Sequence, residues 1–488
     1  MLPVYNNSSE LEKLAKDKFA IPQFLMMENA AKSMADFILE KAAANAGPQN
    51  MVIACGKGNN GGDGYALARL LQDKLETTLL SFETPTAEEA RAQYEMCLRL
   101  GIKILSAENP DDLKTFEKAC KSADYIVDCL YGTGFHGELK DSAAAIINCM
   151  NKGKGIKIAC DISSGLAFTA DYTITMGCQK LSLFSDKAKA VSGEIILADL
   201  GISRRIFEAQ GNCASWLIET GDRILPLRKN RAAHKGTYGH TSVLCGDKAG
   251  AAILSATAAM NFGSGLTSLV KTSASDLNQF KISPALMLSD SIPAKTTCIA
   301  LGSGFSEYSD QAEEMLIKWF EKSSSQALVL DAGLLTSPKT PKLLSKLNSF
   351  DQARIILTPH LAELSKLLEN CGAPEHKVSA LAENPGLKKE AGLFLTKRFP
   401  HTTIIMKSAN TFIASGDQTF IIADGVPSLA KGGSGDILAG MAAALLAQGY
   451  SAKDAAITAA EHHAQSARRL GEEAYNLTPE ALISKINL

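Results

Sequence analysis

The sequence predicts two layered α/β domains with largely parallel sheets. Short apolar runs of strand length recur through the chain, helical patterns separate them, and polar residues gather just beyond the carboxyl ends of those runs. Hydrophobic residues at 46% and charged residues at 21% can bury sizeable cores. At 488 residues the chain exceeds one ordinary domain.

From the start, Ser8–Lys41 carries a helical pattern, with Leu11, Leu14 and Ala15 and later Met26, Met27, Ala30, Met34, Phe37 and Ile38 forming its apolar faces. Met51–Cys55 reads as a buried strand. The glycine-dense GKGNNGGDG, Gly56–Gly64, follows, with a helix expected from about Tyr65 to Lys74. Gly56, Gly58 and Gly61 match G-x-G-x-x-G, but Gly62, Asp63 and Gly64 are expected to postpone the helix and widen the loop beyond the dinucleotide fingerprint. Backbone amides here, with side-chain oxygens of Asn59, Asn60 and Asp63, could wrap a ligand; the plain alternative is a turn rich in Asn and Gly.

Tyr125–Leu130 is a second buried strand, carrying Asp128 and running into Gly132, Gly134 and Gly137. Ile156–Cys160 is a third, with Asp161, Ser163, Ser164 and Gly165 beyond its end. Ligands of an open parallel sheet bind outside the carboxyl ends of its strands, so one shared cleft is predicted. Asn60, Asp128 and Ser164 offer hard oxygens of low net charge, better suited to a monovalent cation or a water-rich site than to zinc. His136 titrates near neutrality, yet a lone loop histidine is also an ordinary hydrogen-bonder. Strands at Tyr172–Met176 and Ile195–Leu200 complete this half, and nothing after this cluster reads as chemical.

The basic, aperiodic stretch Gly211–His240 is expected to link the halves. Beyond it, strands at Thr241–Cys245 and from Leu266, Cys298, Ala327 and Arg354 alternate with helices such as Gly250–Met260. Their ends gather Gly302, Gly304, Asp331, Thr358 and His360, followed by Lys407, Ser408, Ala409, Asn410 and Thr411 after the strand TIIM. In AKGGSGDILAG, Gly432, Gly433 and Gly435 leave amides unshielded where a helix is expected from Ile437 to Gln448, which makes an anion site. Asp436 could instead be only the N-cap of that helix. No P-loop motif occurs; a phosphoryl-transfer site of another kind needs a base, backbone donors and magnesium, and Asp436 with the amides of Gly433–Gly435 can supply the first two.

Fifty Lys and Arg against 52 Asp and Glu give a net charge of −2, which predicts neither a nucleic-acid nor a membrane-surface partner. The eleven cysteines lack CxxC or zinc spacing and are expected to be reduced core residues. No apolar run reaches the ~18–20 residues of a membrane span and no basic leader opens the chain, so a cytoplasmic location is expected.

Both halves resemble known domains. GKGNNGGDGYALAR with LMMENAA upstream, VDCLYGTGF and ACDISSGL resemble the epimerase domain of the NAD(P)H-hydrate repair enzymes. HKGTYGH, LGSGF, LDAG, LTPH and AKGGSGDILAG resemble their ADP-dependent dehydratase domain, which is of the ribokinase-like group. The resemblance implies a Rossmann-like three-layer domain over residues 1–212 and a ribokinase-like α/β domain over 213–488. It implies interconversion of the R and S hydrates of NADH and NADPH with potassium in the first site. In the second, ADP with magnesium drives dehydration of the S form, giving NAD(P)H, AMP and phosphate.

Carried onto this chain, the resemblance places Asn59, Asn60, Gly61, Gly62, Asp63, Gly132, Thr133, Gly134, Phe135, His136, Gly137, Glu138 and Asp161 at the epimerase substrate, and Asn60, Asp128 and Ser164 on potassium. It places Ala251, Gly304, His360 and Asp436 at the hydrated dinucleotide, and Lys407, Ser408, Ala409, Asn410, Thr411 and Gly435 at the adenine nucleotide. Asp161 and Asp436 would be catalytic. Ser163 stands where the pattern usually has proline, Leu166 and Ala167 where it has a second aspartate, and KSANT where the lysine loop is usually glycine-rich; the usual Asn before the last glycine loop is also missing. Two rival readings are a ribokinase-like vitamin-precursor kinase fused to a Rossmann-like binding domain, and a nucleotide-sensing protein without turnover. Small-molecule partners and a homo-oligomer are expected.

Overall fold

The structure is a computed structural model that describes residues 1–44, 49–135, 137–323, 325–374 and 376–486. It separates into two compact units, Pro3–Ala214 and the chain from Ser215 onward together with Met1 and Leu2.

Among the described residues, the main sheet of the first unit has seven strands, all parallel, in the order 104–106, 76–81, 50–55, 125–129, 156–160, 172–176 and 194–198. Chain direction across the sheet reverses between Asn50–Cys55 and Tyr125–Cys129. This is the strand order of doubly wound nucleotide-binding sheets, whose ligand crevice opens at that reversal. Successive residues bury on opposite faces: Met51, Ile53 and Cys55 join one core, Val52 and Ala54 the other.

Two expectations are corrected here. The pattern over Ser8–Lys41 is two helices, Ser9–Phe19 and Gln23–Ala42, because Ala20 turns left-handed (φ 54°) and Pro22 stands at the start of the second. The helix after Gly58 begins at Asn59, not Tyr65. Its glycines do not loosen a loop; they let the helix lie on the sheet. A Cβ on Gly61 would sit 1.9 Å from the Gly56 carbonyl oxygen, one on Gly62 2.6 Å from Met27 Cε, and one on Gly64 2.5 Å from Cys55 Sγ.

The second unit carries strands in the order 287–289, 266–271, 240–245, 298–301, 327–330, 354–357, 402–406, 411–415, 418–422 and 215–217. Pairing is parallel as far as Thr402–Met406, which then forms antiparallel hairpins through Thr411–Ser415 to Gln418–Ile422. Gly211–His240 is not a bare linker: Ser215–Leu217 pairs with Gln418–Ile422, Trp216 opposite Phe420. Helices Ala249–Asn261, Ser434–Ala447 and Ala452–Leu470 bury against Val243, Leu269, Val329, Ile356 and Ile405. The eleven cysteines are free, all but Cys149 and Cys213 buried.

Candidate active sites

In the first unit, the loops after the three central strands face one cavity of about 640 Å³. Asn59, Asn60, Asp63, Gly132, Thr133, Gly134, Phe135, Glu138 and Asp161 line it. Gly61, Gly62 and Gly137 are not among the described lining residues, and His136 lies outside the described residues.

Asp128 is wholly buried. Its Oδ1 accepts the Ser164 hydroxyl at 2.6 Å and the Leu130 amide at 3.1 Å, and its Oδ2 accepts the Ser164 amide at 2.9 Å. Burial pushes its carboxyl up to about 6, and those donors restrain the rise. Among the described residues, both polar atoms of the Asn60 amide are buried with no hydrogen-bond partner. An orphaned amide oxygen is a donor type that suits a cation of low charge density.

Asp161 sits in a left-handed conformation (φ 69°), which Asp tolerates better than most residues. Its Oδ1 accepts the ammonium of Lys180, a fully buried side chain. Thr133 reaches its Oδ2 at 3.4 Å. Asp63 is held well above the carboxylate range, first by burial and then by Asp161 and Glu12. Lys180 lies past the Asp161 cluster, a lone lysine in the stretch YTITMGCQKLSLF, and the structure pairs it with Asp161.

In the second unit, the glycine loop opens the helix Ser434–Ala447 through Gly433, left-handed at φ 94°. Gly433 holds the N-cap place, so Asp436 is the third helical residue rather than a cap. Ser434 and Gly435 stand half-buried at the helix start, and a Cβ on Gly435 would come 3.2 Å from Lys407 Nζ. Lys407 Nζ donates to Asp331 Oδ1 at 3.1 Å, and that oxygen also accepts Thr358 Oγ1 at 2.5 Å. Ser303 donates to Asp331 Oδ2 at 3.4 Å and also bonds Asp436.

Burial, then Asp331, pushes Asp436 up to about 6, against Ser303 and Lys407. Burial also works against the charge of Lys407, but Asp331, Glu363 and Asp436 offset it and hold the ammonium above the ordinary lysine value. Three carboxylates thus act on one ammonium, and among the described residues no cluster of three His, Cys, Asp or Glu forms a metal site.

His360 is exposed and caps the helix Leu361–Asn370, its Nδ1 accepting the Ala362 and Glu363 amides at 3.2 and 3.3 Å. Its backbone bridges Lys407, bringing the two together as the strand-end reading expects. A Cβ on Gly304 would lie 3.5 Å from Ala251 Cβ, so these two also meet. Ser408 to Thr411 form the hairpin turn after Lys407, and the buried Lys388 donates to Ser408 Oγ at 2.7 Å. Ser303 and Lys388 are absent from the sequence reading because each bonds a partner far along the chain; Glu363 is also absent, although its bond to the His360 amide spans only three residues.

The protein-family model described as NAD(P)H-hydrate dehydratase matches residues 241–488, and that described as YjeF-related protein N-terminus matches residues 24–182. The Helicobacter pylori protein called bifunctional NAD(P)H-hydrate repair enzyme Nnr is 34% identical, covering 100% of this chain and 99% of its own. Its Moorella thermoacetica namesake is 29% identical over 95% of this chain and 92% of its own. Among solved structures, an ADP/ATP-dependent NAD(P)H-hydrate dehydratase from Bacillus subtilis, co-crystallised with ATP and Mg2+, is 24% identical. It covers 56% of this chain and 96% of its own at a TM-score of 0.43.

Proposed function

The chain belongs to the bifunctional NAD(P)H-hydrate repair enzymes, and from that premise we propose how its residues divide the work. It is a metabolite-repair isomerase and lyase: it interconverts the R and S hydrates of NADH and NADPH, and it uses ADP to dehydrate the S form. We assign epimerisation to residues 1–212 and dehydration to residues 213–488.

The observation that carries the dehydratase assignment is Asp436, a half-buried carboxylate with its pKa pushed up to about 6, beside Lys407 at a glycine-opened helix start. A base tuned toward neutrality suits proton transfer from a hydroxyl. Asp436 takes the proton of the ring hydroxyl as that oxygen attacks the terminal phosphorus of ADP and AMP departs with the bonding electrons. The amides of Gly433–Gly435 hold the moving phosphoryl group. The ring nitrogen lone pair then expels phosphate, and loss of a ring proton restores the dihydropyridine.

Lys407, Ser408, Ala409, Asn410, Thr411 and Gly435 are assigned to the adenine nucleotide, and Ala251, Gly304 and His360 to the hydrated dinucleotide. Magnesium fits the excess of carboxylate there, with Asp331 and Glu363 as its nearest acidic groups; when bound it neutralises phosphate charge.

In the epimerase, Asp161 is assigned to the ring hydroxyl proton, with Asn59–Asp63 and Gly132–Glu138 around the substrate. Potassium fits Asn60, Asp128 and Ser164, where it balances a buried carboxylate. The proposed setting is the cytoplasm and the proposed assembly a homo-oligomer, which light scattering tests.

Separated R and S hydrates, incubated with and without ADP and magnesium, test the whole reading. Dihydronicotinamide absorbance is expected to return only with ADP, from S at once and from R after exchange. No recovery from either hydrate sinks it, and a phosphorylated product that accumulates favours a kinase.

A further inference from the structure

Lys180 is a buried charge that the chemistry above leaves unused. It stands on a short strand, Gln179–Lys180, that pairs in parallel with Val4 and Tyr5. Its ammonium is closed off from solvent and donates to Asp161 Oδ1, to Thr175 Oγ1 at 3.0 Å and to the Met176 carbonyl at 2.9 Å. An ammonium has three protons, so none is left for a substrate. Burying such a charge is costly unless it is paired, and a general structural need could be met by an apolar side chain instead.

The two oxygens of Asp161 are unequal. Oδ1 also accepts the Met176 amide at 3.1 Å and the Thr175 hydroxyl at 3.4 Å, so the sheet side is saturated. Among the described residues Oδ2 has one long contact, from Thr133, and both residues line the cavity. We infer that Lys180 is a positioning residue of the epimerase: by anchoring Oδ1 it supplies the counter-charge of Asp161 and keeps Oδ2 turned to the substrate. This rests on the assignment of Asp161 to epimerisation. Asp63, Cys160 and Cys178 also face Asp161, and Glu12 faces Asp63 and Lys180; none of these brings a second cation.

Lys180→Met leaves the carboxylate without its counter-charge, and a buried carboxylate so left takes up a proton more readily. In the full-length enzyme, kcat for R to S exchange is expected to fall about 100-fold at pH 7 with KM within about twofold. The acid limb of its pH profile should move to higher pH, so that raising the pH recovers rate, while ADP-dependent dehydration of the S hydrate is unchanged. A merely structural lysine would not produce that recovery.

Exchange at the wild-type rate, or a slower rate with an unmoved acid limb, overturns the inference. Asp161→Asn with exchange intact overturns the Asp161 assignment instead. With that variant inactive, adding Lys180→Met should cause no further loss. If Lys180→Met does not fold, Thr175→Val, which keeps both charges, is read in its place: a few-fold lower kcat with a displaced acid limb supports the inference, and an unmoved limb overturns it.

Discussion

Two glycine-rich helix starts follow strands in this molecule, and they use glycine for opposite ends. At Asn59–Leu71 the glycines face inward, and every residue from Asn60 to Ala68 is buried. At Ser434–Ala447 Gly432 is exposed and Gly433, Ser434 and Gly435 are half-buried; a Cβ on Gly432 would meet nothing within 4 Å and one on Gly435 only Lys407 Nζ, whereas one on Gly433 would strike Pro479 at 2.6 Å. The first arrangement brings a helix, and with it Asn60 and Asp63, hard against the sheet. The second leaves its helix start half-buried, with Asp436 as the third helical residue. Glycine density alone therefore does not say whether a loop binds a phosphate; what a Cβ would strike does.

Asp436→Asn tests the division most strongly. ADP-dependent dehydration should drop by about 10³-fold while R to S exchange persists; loss of both in a folded variant breaks the two-site comparison. Gly61→Ala attacks the inward glycines, because its Cβ would overlap the Gly56 carbonyl at 1.9 Å. The first unit should lose about 3 kcal/mol on thermal or denaturant unfolding, with the transition of the second unit unmoved.

Lys407→Met removes the ammonium beside Gly435. The KM for ADP should rise roughly tenfold to fiftyfold, as expected for a lost charge-assisted hydrogen bond. The pH dependence sharpens the contrast further. Asp436 must be ionised to act as a base, so dehydration should fall about tenfold per pH unit below about 6. Smallest of all is Gly432→Ala, whose Cβ meets nothing within 4 Å; stability should stay within about 0.5 kcal/mol.

Much of this was legible in the sequence. Buried parallel strands announce themselves as apolar runs, and MVIAC, YIVDC and IKIAC lie where those runs place them. The strand-end clusters of the first unit do share one cavity, since parallel strands deliver their carboxyl ends to one edge. The early helix start was not legible, because local propensity counts Gly61, Gly62 and Gly64 as breakers while tertiary packing requires them as spacers. Nor were the partners of the charged groups. Lys180 and Asp161, and Lys407 and Asp331, meet only after the sheet has formed, and no spacing along the chain records their distances.

Lys388 carries a last consequence. Its ammonium is sealed from water, bonded to Ser408 Oγ and the Asn410 carbonyl and lying 4.9 Å from the ring centre of Phe412, so it pins the turn 407–411 from behind. Dissolved ions weaken exposed pairs such as Lys57 with Glu83 but scarcely reach a sealed one. Added salt is therefore expected to loosen such exposed pairs while leaving the shape of this turn intact.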